Sequence, residues 1–128
     1  MDVLFRFEKF EVRAKFNDSS AAATIYHSLP LASSVNRWGD EIYFEIPVKL
    51  PLENGTLDVK IGDIAYWPEG ACLCLFFGKT PSSKGPQPQP ASEVIIVGSF
   101  SAAPQELRRV GSGTKVSVLK EAPLRPLA

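Results

Sequence analysis

Between Lys9 and Phe16 every second residue is apolar: Phe10, Val12, Ala14 and Phe16 are separated by the charged Glu11, Arg13 and Lys15. No other feature constrains the fold as tightly, because a period of two puts successive side chains on opposite faces of an extended chain and cannot give a helix one apolar stripe. Upstream, Val3, Phe5 and Phe7 alternate with Leu4, Arg6 and Glu8, which predicts an opening hairpin with a tight turn near Glu8-Lys9. Ile42, Phe44, Ile46 and Val48 alternate with Glu41, Tyr43, Glu45 and Lys49. Leu57, Val59 and Ile61 repeat the pattern, and Asn54-Gly55 between these runs supplies the positive backbone angles of a reversing turn. Ala71 to Phe77 has no polar face and reads as a central strand covered on both sides. With 64–67, 94–100 and 114–120 the chain reaches about eight short strands, a number that suits a small closed barrel.

Two segments depart from this period. Asp18-Ser19 offers an N-cap, after which Ala22, Ile25, Tyr26 and Leu29 fall at helical spacing until Pro30. Pro104 to Val110 begins with a proline and is followed by Gly111, the arrangement of a short helix with a stop. Both helices are long enough to cap barrel openings. Pro81 to Pro90 is proline-rich and reads as a long surface loop inside one domain, because the strand and helix beyond it do not make a separate core. The expectation is therefore a mainly β, single-domain chain over residues 1–128.

Charge narrows the partners. The 128 residues carry 14 basic and 14 acidic side chains, a formal net charge of zero, which argues against nucleic acid or an anionic membrane surface. Two cysteines are too few for a disulfide scaffold, and no apolar run is long enough to span a bilayer. The charged residues among Met1 to Lys9 do not read as a signal peptide, so a cytoplasmic location is expected.

Three stretches stand out as motifs: Val35-Asn36-Arg37-Trp38-Gly39-Asp40-Glu41-Ile42-Tyr43-Phe44, Gly62-Asp63-Ile64-Ala65-Tyr66-Trp67-Pro68, and Cys72 to Pro81. With them the chain resembles the cyclophilin-like family of short prokaryotic proteins. The resemblance covers nearly the whole chain, with little of it in Ala122 to Ala128. It implies a closed antiparallel eight-stranded barrel with two short capping helices, and no reaction. True cyclophilins place an arginine near a prolyl carbonyl and stabilise a twisted amide. They carry a phenylalanine-histidine-arginine motif and a glutamine-glycine-glycine segment, and this chain has neither. Arg37, within Asn-Arg-Trp-Gly-Asp-Glu, is the residue that would take the catalytic role if the chain were a divergent peptidyl-prolyl isomerase.

The candidate site residues are Arg37, Trp38, Glu41, Tyr43, Tyr66, Trp67 and Phe76. Arg37, Asp40 and Glu41 either anchor a ligand at the rim of a groove or form an ion pair that fixes the start of the strand at Ile42, and the ion pair is favoured. Trp38, Tyr66 and Trp67 either wall that groove or close the barrel. Cys72 and Cys74 share a face about 6.5–7 Å apart, too far for an ordinary disulfide, and read as apolar packing. His27, the sole histidine, reads as a helix-end surface residue, and Asp63 as a side-chain cap on the turn at Gly62. No metal site and no cofactor is expected. Three functions fit: a binding module for a peptide segment or small molecule, a divergent isomerase, and a subunit acting with a protein partner. Oligomeric state is left open.

Overall fold

The computed structural model of the chain describes residues 1–121; the expected domain boundary at Ala128 lies outside them. Its strands are β1 (Asp2–Arg6), β2 (Glu11–Phe16), β3 (Leu31–Ser34), β4 (Asn36–Arg37), β5 (Glu41–Glu45), β6 (Asp63–Trp67), β7 (Cys72–Phe76), β8 (Ile95–Phe100) and β9 (Lys115–Lys120). All nine belong to one antiparallel sheet, in the order β3-β9-β1-β2-β8-β6-β7-β5-β4. The first and last strands of that order are two halves of one stretch, separated only by the buried Val35. Leu31–Ser34 pairs with β9, and Asn36–Arg37 pairs with β5. One bent stretch thus joins both ends of the sheet into a nearly closed barrel, and Ser33 Oγ donates across the seam to the Glu45 carbonyl at 2.7 Å.

The alternating segments behave as their period requires. β1 and β2 form the opening hairpin, with Arg6 opposite Glu11 and Val3 opposite Ala14. Val12, Ala14 and Phe16 are buried while Glu11, Arg13 and Lys15 face solvent. The core runs through Phe5, Phe44, Ile42, Ile64, Leu73, Leu75 and Val97, with Phe5 and Phe44 packed edge to face at 6.3 Å. Each such side chain contributes about 1.5–3 kcal/mol by leaving water.

Helix α1 (Ser20–His27) is capped by Ser19, whose Oγ accepts from the Ala22 amide at 3.1 Å, and it buries Ala21, Ala22 and Ile25. It packs on β2 and β8. Helix α2 (Pro104–Leu107) is a single turn that buries Leu107.

The run 57–61 is not a strand. Val59 is buried, but Leu57 and Ile61 are about half exposed, and pairing here shrinks to one bridge between Thr56 and Val94. Asn54 does take a positive φ of 53°, yet it turns a loop rather than a hairpin. The count of about eight holds by exchange: 57–61 drops out, and 31–37, too polar to show alternation, enters as the bent closing strand.

Close contact between β2 and β8 depends on Gly98, which lies opposite Phe16. A Cβ there would press into the Lys15 carbonyl oxygen and lie 3.0 Å from Phe16 Cα, both backbone atoms that cannot swing aside. Gly98→Ala is expected to lower stability by about 2 kcal/mol, read as a reduced urea midpoint at unchanged m value. A midpoint within error of the parent would refute this account of the β2–β8 contact.

Candidate functional site

β7 is buried along its whole length. Its inward side chains, Leu73 and Leu75, belong to the barrel core, whereas Cys72, Cys74 and Phe76 point outward. That outer face therefore needs a cover of its own. Cys72, Cys74 and Phe76 form a second cluster with Ala65, Val59 and Val94, flanked by Tyr43, Trp67 and Ile96. Chain from the 47–62 and 79–94 loops lies over it. The proline-rich segment is a surface loop over 81–87, as expected, and its far end is anchored: Pro88 and Pro90 are buried, and the Thr80 hydroxyl donates to the Gln89 carbonyl.

The cover is incomplete beside β5 and β7. Between the outer sheet face and Pro90-Ala91 lies a cavity of about 210 Å³, lined by Trp38, Glu41, Tyr43, Trp67, Cys74, Pro90, Ala91 and Val94. Strand geometry explains which residues reach it. β4 and β5 are joined by a tight turn in which the Trp38 and Glu41 backbones exchange hydrogen bonds at 3.0 and 3.2 Å, with Gly39 at φ +60°. Residues paired this way share a face, and Tyr43, two positions along, shares it as well. Trp67 is opposite Cys72 and Ala65 is opposite Cys74, so Trp67 also projects outward.

Trp67 is held in place. Its indole N–H donates to Ser92 Oγ at 2.7 Å, and Ser92 in turn donates to Glu69 Oε2 at 2.8 Å. Gly70 lies against the ring, where an added Cβ would come within 2.5 Å of Cζ3. Tyr43 and Trp67 meet nearly at right angles, with ring centroids 6.4 Å apart and planes inclined by 83°.

Of the seven residues singled out from the sequence, the structure brings Trp38, Glu41, Tyr43 and Trp67 together at the cavity and keeps three away from it. Tyr66 points inward, fully buried, donating to the Val48 carbonyl at 2.7 Å and accepting from the Leu50 amide. Phe76 is on the outer face but lies within the second cluster, with no exposed surface. Arg37 is next to Trp38 in the chain and so projects to the opposite face. There it donates to the carbonyls of Gly39, Arg108 and Val110, faces Asp40 at 3.6 Å, and sits over the Phe77 ring. Asp40 also pairs with Arg108 at 3.0 Å. The Arg37–Asp40 contact is the structural ion pair that the spacing favours. Cys74, Pro90, Ala91 and Val94 complete the cavity and were not singled out as site residues. His27 is exposed at the end of α1, and Asp63 accepts from the Lys60 amide at 2.8 Å, as the turn reading expects.

Glu41 is the one charged group at the cavity and is only 6% exposed. Burial pushes its carboxyl up to about 7, although the Cys74 thiol, donating to it, opposes the rise. Burial first, then the Glu41 charge and this same contact, drives the Cys74 thiol well above its ordinary range, and burial with the nearby Glu45 and Glu41 charges lifts Cys72 to about 11. Both cysteines are therefore thiols at neutral pH. Among the described residues no three His, Cys, Asp or Glu side chains are grouped to hold a metal.

The elevated Glu41 carboxyl has a consequence for stability. Below about pH 4.5 the group is protonated in both folded and unfolded chains. Between there and about 7 the unfolded chain has lost the proton while the folded chain keeps it, so stability falls as pH rises, then levels off. The total is about 3 kcal/mol. Glu41→Gln is expected to remove that slope, so urea midpoints of variant and parent diverge progressively from pH 4.5 to 7.5, with the variant the more stable. Parallel curves would contradict the burial of a titrating Glu41.

The cyclophilin-like family model matches residues 1–119. A hypothetical protein of Archaeoglobus fulgidus, solved in solution, is 37% identical over 94% of this chain and 95% of that one, with a TM-score of 0.80. McbB, solved in complex with tryptophan, shares the fold at a TM-score of 0.62 and 12% identity; the match spans 97% of this chain and 46% of McbB. No curated protein matches the chain. Among the described residues no helix is long and apolar enough to cross a membrane.

Proposed function

The chain belongs to the cyclophilin-like family, and on its barrel we propose that the cavity under Pro90-Ala91 is a binding site for a small molecule or a single side chain of a peptide. The observation that carries this reading is the placing of one titrating carboxylate, Glu41, in an otherwise apolar and aromatic recess. Burying that group costs stability, and a structure that needed only to close its outer face would be served by an apolar residue at the same position. A carboxyl strongly perturbed by burial in a concave site makes that site a candidate for function. The shape agrees: a mostly apolar pocket with few polar groups is the usual form of a small-ligand site. Its size is also adequate, since a cavity of ~150 Å³ already admits a benzene ring.

Arg37 offers no support for proline isomerisation in this cavity. Its donors are engaged by three backbone carbonyls, and it lies on the other face of the strand. Its role on this reading is to tie the β4–β5 turn to the chain after α2.

Both tryptophans of the chain line the cavity, so intrinsic fluorescence reports on it without a label. Acetyl-proline amide is expected to perturb that emission, and both it and indole, which emits in the same range and is therefore followed by NMR alone, are expected to produce saturation-transfer signals from the ligand. Gly70→Val, which displaces the Trp67 ring, should weaken binding at least fivefold, whereas Arg37→Lys should leave it unchanged. Shifted backbone resonances remote from Trp38, Trp67 and Ala91 would move the site elsewhere and end this proposal.

A further inference from the structure

Glu41 is a buried acid without a cation. The ion pairs among the described residues are Arg6–Glu11, Arg13–Glu121, Arg37–Asp40 and Arg108–Asp40, and none includes it. The titratable groups on its own face are Cys74 and Cys72 of β7 and Tyr43 and Glu45 of β5, none of which can carry a positive charge. The opposing wall of Pro90, Ala91 and Val94 is uncharged. A positive ligand would therefore find a complementary charge that no side chain already neutralises.

The remaining walls are π systems. Trp38, Tyr43 and Trp67 line the cavity together with Glu41, and Tyr43 and Trp67 are nearly perpendicular, so they offer a corner rather than a flat slot. The Trp67 N–H is engaged by Ser92, which leaves the ring itself, not its donor, as the feature presented to a ligand. Aromatic faces attract cations through the ring quadrupole, most strongly when water is excluded.

We propose that this cavity is an aromatic cage for an alkylated ammonium group, with Glu41 as its counter-charge and Trp38, Tyr43 and Trp67 as its walls. The proposal rests on the reading that the cavity is a ligand site and assigns the chemistry of what enters it. Alkylation is part of the assignment. A primary ammonium brings three N–H donors that each need an acceptor, and apart from the weak Cys74 sulfur the lining side chains offer only the Glu41 carboxylate and the Tyr43 hydroxyl, among walls otherwise apolar or aromatic. A methylated head has no such demand, and its methyl groups match the apolar lining.

Binding of a cation selects the carboxylate form of Glu41. With that carboxyl at about 7, affinity rises about tenfold from pH 6 to pH 8 and then flattens. The test compares choline with its uncharged isostere 3,3-dimethylbutan-1-ol, both followed by tryptophan fluorescence. Choline is expected to bind at least tenfold more tightly than the isostere and to show the tenfold pH dependence. Glu41→Gln, which is expected to fold and to be the more stable protein at pH 8, should lose at least tenfold in choline affinity and all of its pH dependence. A peptide bearing one trimethylated lysine forms a second arm. Tighter binding of the peptide than of choline places the ammonium group on a side chain, the reverse places it on a small molecule, and either supports the cage. Equal or tighter binding of the isostere, or choline binding indifferent to Glu41→Gln, overturns the cage but leaves a ligand cavity. Failure of both charged probes also overturns it, while indole and acetyl-proline amide independently decide whether the cavity binds anything.

Discussion

A strand buried on both faces obliges a protein to build two layers around it, and β7 imposes that requirement here. Leu73 and Leu75 are satisfied by the barrel interior, but Cys72, Cys74 and Phe76 face away from it. Leaving them in water would forfeit the free energy of burying three apolar side chains. The long connections on either side of β6-β7 supply the cover, with Val59 and Val94 inserted and Pro88 and Pro90 buried. The irregular chain from 47 to 62 and from 79 to 94 is thus a second layer of the fold. The candidate site is a gap that this layer leaves.

The electrostatics of the site follow from the same layering. Glu41 begins β5 on the outer face, where an exposed carboxylate would be unremarkable. Burial between the sheet and its outer layer removes most of its water and the Cys74 thiol gives back a single weak donor, so the proton is held to higher pH than usual. Arg37 and Asp40, its neighbours in sequence, play no part in compensating it. They are drawn into a separate network with Arg108 and the carbonyls of Gly39 and Val110, which locks the β4–β5 turn to the chain after α2.

Much of this was legible in the residues, unevenly. The hairpin of 2–16, the capped helix after Ser19 and the doubly buried β7 each have a strong local pattern. The bent strand 31–37 has none, because Ala32, Ser33, Ser34 and Asn36 give no contrast between its faces; it forms because β9 and β5 present unpaired edges on either side of it. Leu57, Val59 and Ile61 show the opposite failure, an alternating run with only Val59 inserted into the outer cluster. At the site, Arg37 and Trp38 are adjacent in one strand, as are Tyr66 and Trp67, so only one member of each pair can face a given groove. Alternation alone was enough to divide these pairs, though not to say which member of each faces the cavity.

What the sequence by itself determined is the set of strands with one or two apolar faces, and through them a barrel of zero net charge. Periodicity is local, so it is written in neighbouring residues. Only the tertiary structure decided that Trp38, Glu41, Tyr43 and Trp67 share a recess while Arg37, Tyr66 and Phe76 do not, and that the proline-rich loop forms its far wall. Those relations reach across as many as 53 positions of the chain, from Trp38 to Ala91, and the burial that raises the Glu41 carboxyl exists only once the barrel and its outer layer have come together.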